Sequence, residues 1–129
     1  MNLPAARLAF ARISAEDRAR LPAIWARISP ALPGILANFY AHLRADAHLA
    51  KMIGDHQPHL ILEQSKHWEH LFSGRFDEAY FASADRIGRV HVQVGLEPSF
   101  YVGAYQFLFC AMSDVLCCGA LSVARSAQP

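Results

Sequence analysis

The sequence predicts an all-α protein, and three observations support this. Apolar residues recur at steps of three and four in several stretches, as one face of a helix requires. The β-branched runs and Asn-Gly turns that announce strands are missing, as are internal repeats, low-complexity tracts and linkers. Finally, 53% of the 129 residues are hydrophobic, enough for one buried core, so residues 1–129 read as a single domain.

Ser14, followed by Glu16 and Asp17, caps a first helix that carries Leu21, Ile24, Trp25 and Ile28 and ends at Ser29-Pro30. A second begins near Pro33, which fits a first turn because an N–H there has no helical partner to lose. It sets Leu32, Leu36, Phe39, Tyr40 and Leu43 on one face, with Tyr40 pointing inward. Beyond a short polar stretch, Pro58 opens a third helix whose stripe is Leu60, Gln64, Trp68 and Leu71, with Phe72 alongside and Ser73-Gly74 as its stop. Asp77 caps a fourth, in which Tyr80, Ala84, Ile87, His91 and Val94 follow one another before Gly95 ends it; this stripe is expected to be buried. The fifth starts at Pro98 and carries Tyr101, Ala104, Tyr105, Leu108, Met112 and Val115. From Cys118 the periodicity fades, so about five substantial helices are expected.

Charge and composition narrow the partners. With 12 Lys+Arg against 11 Asp+Glu and no block of like charge, nucleic acid is not an expected partner. No apolar run approaches the roughly 18 residues that cross a bilayer. The opening segment, interrupted by Arg7, Arg12, Glu16 and Asp17, lacks a signal-peptide core, so a cytoplasmic protein without membrane attachment is expected. Cys110, Cys117 and Cys118 are odd in number and crowded near one end, a poor disulfide framework. Reduced, mostly buried thiols are the favoured reading.

The chemistry concentrates at His91, a histidine on an otherwise apolar stripe. Such a residue either bonds a polar neighbour in the core or ligates a metal, and periodicity alone does not choose. A five-coordinate haem iron needs one neutral imidazole on one side and a largely apolar cavity on the other. His91 offers the first, while Phe39, Leu60, Trp68, Leu71 and Phe72 offer walls for the second. Tyr40 is then either a core tyrosine or the donor to a dioxygen ligand, which gathers partial negative charge when bound. His59, Glu63, His67 and His70 fall on a neighbouring face of one helix; a solvated or interface face is the default there, and a zinc site the alternative.

The stretch QSKHWEHLFSGRFDEAYFASADRIGRVHVQVGLEPSFYVGAY, from Gln64 to Tyr105, resembles the protoglobin and globin-coupled sensor family, and Phe39-Tyr40 upstream matches the family's aromatic pair. The resemblance covers about residues 10–115, leaving 118–129 as an atypical tail. It implies a globin-like fold and a haem b whose iron is bound by His91; the sequence departs from the family in that the stretch after Leu116 is too short and weakly patterned for the usual final helix, so that helix is expected to be lacking. The resemblance further implies Tyr40 as the distal tyrosine and Leu60 at the distal-helix position where other globins often hold histidine. Gln64, one turn on, either reaches the pocket or bonds locally. Without a last helix, the face of Tyr101, Tyr105, Leu108 and Met112 is expected to stay exposed unless a second chain covers it.

The function implied is a non-enzymatic sensor. It would bind dioxygen, with carbon monoxide and nitric oxide as further candidates, and signal by conformational change through a homodimer formed on the Pro98 helix to an output domain or protein. Two alternatives stand beside it: a globin that scavenges or transforms reactive gases, and a helical interaction module without haem.

Overall fold

The computed structural model describes residues 3–117, all of them in helices or in the short connections between helices. Seven helices lie among the described residues: α1 (Leu3–Phe10), α2 (Ala15–Ile28), α3 (Leu32–Arg44), α4 (Ala47–Ile53), α5 (Gln57–Phe72), α6 (Glu78–Gln93) and α7 (Pro98–Leu116). The all-helical expectation holds. The five helices read from the sequence are α2, α3, α5, α6 and α7, while α1 and the short α4 are additions. The atypical tail and the missing last helix lie outside the described residues. No described helix is long and apolar enough to cross a membrane.

The helices form two compact units, one of Met1–Trp25 with Pro58–Leu96, the other of Ala26–Gln57 with Glu97–Pro129. In the first, α2 begins with a reciprocal cap: Ser14 Oγ accepts the Asp17 N–H at 3.0 Å, and Asp17 Oδ2 accepts the Ser14 N–H at 2.9 Å. Pro22 sits inside α2 and has no N–H to give the carbonyl of Arg18, four residues back. That carbonyl lies against Gly74, where an added Cβ would come within 2.6 Å of it, and Gly74 has φ +77. Trp25 stacks on Phe72 at 5.5 Å, joining α2 to the end of α5. Arg7 ties α1 to α6, its guanidinium 3.4 Å from the Asp85 carboxylate and 5.0 Å from the centre of the Phe81 ring.

In the second unit α3 supplies most of the core. Leu32, Ile35, Leu36, Phe39 and Tyr40 are buried along it, joined by Leu49 and Ile53 of α4 and by Leu108 and Met112 of α7, and α3 packs against both neighbours. Asp46 Oδ1 accepts the Leu49 N–H at 2.9 Å, which starts α4. Arg44 reaches the Gly54 carbonyl at 2.8 Å, and Arg27 reaches the carbonyl of Leu116 at 2.6 Å, satisfying acceptors that helix ends leave over.

This packing corrects the expectation for α7. Leu108 and Met112 are buried in this chain, because α3 packs against α7; Tyr101 is half-buried, Tyr105 stays exposed as expected, and Phe100, Val102 and Phe109 are exposed beside it. The cysteine expectation is corrected as well. Cys110 and Cys117 are exposed, since Cys110 shares the outward side with Gln106, whose Nε2 donates to its Sγ at 3.3 Å. Cys118 lies outside the described residues.

Two outcomes follow for stability. Gly74→Ala meets both a left-handed backbone and the Arg18 carbonyl, whereas Gly95→Ala meets only the backbone term, at φ +76 with open space around it. Gly95→Ala is expected to cost about 1 kcal/mol in urea unfolding, and Gly74→Ala measurably more. The second concerns acid. Asp17 and Asp77 are held below the ordinary value of 3.8, chiefly by the backbone N–H groups of Ser14 and Tyr80 respectively. A depressed carboxylate contributes stability above its ordinary value and loses it as pH falls through the lower folded value. The urea midpoint should therefore drop below pH 3.8, and drop less in the Asp17→Asn, Asp77→Asn double variant.

Candidate functional site

His91 lies in the last turn of α6, and the end of that helix fixes its backbone. The Leu96 N–H bonds the His91 carbonyl at 3.0 Å and the Gly95 N–H bonds the Val92 carbonyl at 3.0 Å, with Gly95 in the left-handed region. This paired pattern is the glycine-terminated helix end, and it needs a residue without Cβ at position 95. At the other end of α6, Asp77 Oδ1 accepts the Tyr80 N–H at 2.9 Å.

The stripe on α6 is less covered than its periodicity suggests. None of its residues is fully buried: Tyr80, Ala84, Ile87 and His91 are half-buried, and Val94 is 48% exposed. Spacing identifies which face is apolar, not how much protein lies over it. Within His91 the ring is partly shielded and its Nδ1 is buried.

Helix α5, in the same unit, carries Leu60, Gln64 and Trp68 at steps of four. Leu60 and Gln64 are half-buried and Trp68 is 8% exposed. Trp68 Nε1 donates to Gln64 Oε1 at 3.1 Å, a local bond one turn along the helix. A buried indole N–H needs such an acceptor. Phe39 and Tyr40 belong to the second unit, each 4% exposed, with their rings edge to face at 5.2 Å. Phe107 of α7 supports Phe39 at 5.7 Å, and His42 stacks on Phe107 at 5.0 Å.

Of the four residues on the neighbouring face of α5, His59 and Glu63 are exposed as the default reading expects, whereas His67 and His70 are half-buried. His67 stacks on the Tyr80 ring at 5.7 Å and 18°, and His70 meets the same ring edge-on at 5.4 Å. Burial pushes the His67 imidazole below its ordinary value of 6.5, and the charge of His70 adds to the effect. Among the described residues no three His, Cys, Asp or Glu side chains converge as a metal site. Sequence reasoning had no signal for this cluster, because the turn after α5 brings Asp77 and Tyr80 to it. A surface groove of about 480 Å³ adjoins this cluster at Asp77, lined also by Leu8, Arg18 and Phe76, and none of the predicted site residues lines it.

The donor set suits an iron porphyrin. An imidazole on an apolar, half-covered stripe, with one ring nitrogen buried and with an aliphatic and an aromatic residue on α5 of the same unit, is what a large apolar group bound through nitrogen requires.

The sequence profile of the family described as Protoglobin matches residues 3–125. The heme-based aerotactic transducer HemAT of Halobacterium salinarum is 27% identical over 113 residues, which cover 85% of this chain and 23% of HemAT. The chain thus spans less than a quarter of the length of that relative.

Proposed function

Because this chain belongs to the protoglobin family, we propose that it holds a haem b through the imidazole of His91 and binds dioxygen reversibly, as the input part of a gas sensor. The observation that carries the reading is the position of His91. It ends the apolar stripe of α6, with its backbone locked by the Gly95 helix end and its Nδ1 buried. When bound, the haem supplies an iron that takes up a diatomic gas, so carbon monoxide and nitric oxide are further ligands.

The protein's part is to orient and to exclude. His91 gives a neutral ring nitrogen and keeps its orientation through the helix end. Tyr40, buried on α3, is the phenol that donates a hydrogen bond to the ligand. Leu60 offers no hydrogen bond and limits water entry, while Phe39 and Trp68 contribute apolar wall. The reading is of a sensor and not an enzyme: in it His91 is engaged with the haem and Tyr40 with the ligand, and the similarity to an aerotactic transducer favours a signalling role. Signal would pass to an output domain or protein through a homodimer. The exposed residues Val102 (66%), Tyr105 (46%) and Phe109 (69%), at steps of three and four on α7, form the apolar face for that contact.

The visible spectrum of the reduced protein, before and after exposure to air, tests the reading directly. An intense haem band that shifts reversibly on oxygenation is expected; a colourless, folded protein that takes up no haem would falsify it. His91→Ala should abolish specific haem uptake. Tyr40→Phe should keep haem but release dioxygen roughly three- to tenfold faster, the worth of one net hydrogen bond. For the dimer, Val102→Glu combined with Phe109→Glu should convert the sedimenting species from dimer to monomer.

A further inference from the structure

The turn between α5 and α6 holds a cluster of ionisable and aromatic side chains that haem binding does not use. His70 Nε2 lies 3.3 Å from Asp77 Oδ1, and the same oxygen accepts the Tyr80 N–H at 2.9 Å as the cap of α6. One carboxylate oxygen therefore joins the last turn of α5 to the first turn of α6. Ser73 closes the turn beneath it, its Oγ donating to the His70 carbonyl at 2.6 Å and accepting the Arg75 N–H at 3.2 Å. The ionisable groups that interact with His70 are His67 on its own helix and Asp77 at the start of α6; Arg75 bonds Ser73 in the turn, and Glu78 and Arg18 line a groove with Asp77. Tyr80 presents its ring to both histidines.

We infer that this contact is a proton-operated fastening: protonation of His70 strengthens its bond to Asp77 Oδ1 and holds the first turn of α6, the helix that ends at His91, more firmly. A neutral imidazole gives the carboxylate a weak N–H or a repelling lone pair, according to tautomer, whereas an imidazolium gives a charged donor. Histidine changes charge within about pH 5 to 8. Asp77 stays ionised throughout that range, since the Tyr80 N–H, above all, holds its carboxyl low. The bond is therefore fully charged on the acid side of the imidazole range and weakens toward neutral and alkaline pH.

His67 sets the opposite sign. Its folded imidazole is depressed by burial, so it contributes stability when neutral and loses it as pH falls. A charge on His70 further discourages a second one at His67, three residues before it. The fastening acts on α6 whatever group His91 holds, and so stands apart from the haem reading.

Amide hydrogen exchange of the full chain, read at Tyr80 and corrected for the intrinsic pH dependence, tests it. Protection at Tyr80 should be about two- to fivefold greater at about pH 6 than at about pH 7.5, as befits a partly exposed ion pair. Asp77→Asn keeps a capping acceptor without the charge, and His70→Gln keeps a donor that does not titrate. With helicity retained, the gain in protection toward acid should vanish in each, leaving only the opposite dependence that His67 sets. Equal or lower protection near pH 6 in the unaltered chain overturns the inference, and so does a gain toward acid that persists in either variant.

Discussion

Helix α6 has to be held by its ends and its flank, because none of its residues is fully buried. A helix in a globular protein ordinarily draws most of its stability from an apolar face pressed into a core. Here the restraints are of another kind: the Asp77 cap, the glycine-terminated end at Gly95, the grip of Arg7 on Asp85 and Phe81, and the rings around Tyr80. Apart from the rings on Tyr80, each fixes backbone or position without covering the stripe that runs to His91. A group that binds that stripe in the folded state adds its binding free energy to the stability of the helix. Ligand retention and the order of α6 are then two aspects of one equilibrium.

The second unit is organised on the contrary principle. Along α3, five side chains from Leu32 to Tyr40 are buried, and the Phe39, Tyr40 and Phe107 rings contact one another in turn. Dense packing of this sort locks rotamers, since interiors approach crystalline density and leave little room for a ring to turn. Tyr40 therefore sits on a rigid support. A phenol that is proposed to donate to a small ligand benefits from that support, because its hydroxyl direction is set before the ligand arrives.

Much of this was legible in the sequence, for reasons that also explain what was not. The five long helices announced themselves through apolar spacing over several turns, and Ser14, Asp77, Gly74 and Gly95 marked ends because caps and left-handed stops need those residue types. Helix α4 offers only Leu49 and Ile53 as a repeat, too little for a period to show, and α1 is apolar on most sides. Pro22 lies within α2 without ending it, since its effect falls on one carbonyl that the Gly74 turn accommodates. The extent of burial on α6, the outward placing of Cys110 and the covering of Leu108 were not legible. They depend on which helices pack together, and a one-dimensional pattern does not encode that.

The stripe on α5 shows how local bonding narrows the proposed chemistry. Leu60 has no polar atom to offer, and the amide oxygen of Gln64 is committed to the indole of Trp68, one turn away on the same face. That bond satisfies a buried N–H that would otherwise cost stability, and it holds the largest apolar side chain of the stripe in one orientation. Helix α5 thus contributes shape and dryness, and the bond to Trp68 uses the acceptor of Gln64 and not its amide N–H donors. In the function proposed here, the polar recognition of a gas ligand is given to the phenol of Tyr40, and substitution at Gln64 acts first on the setting of Trp68.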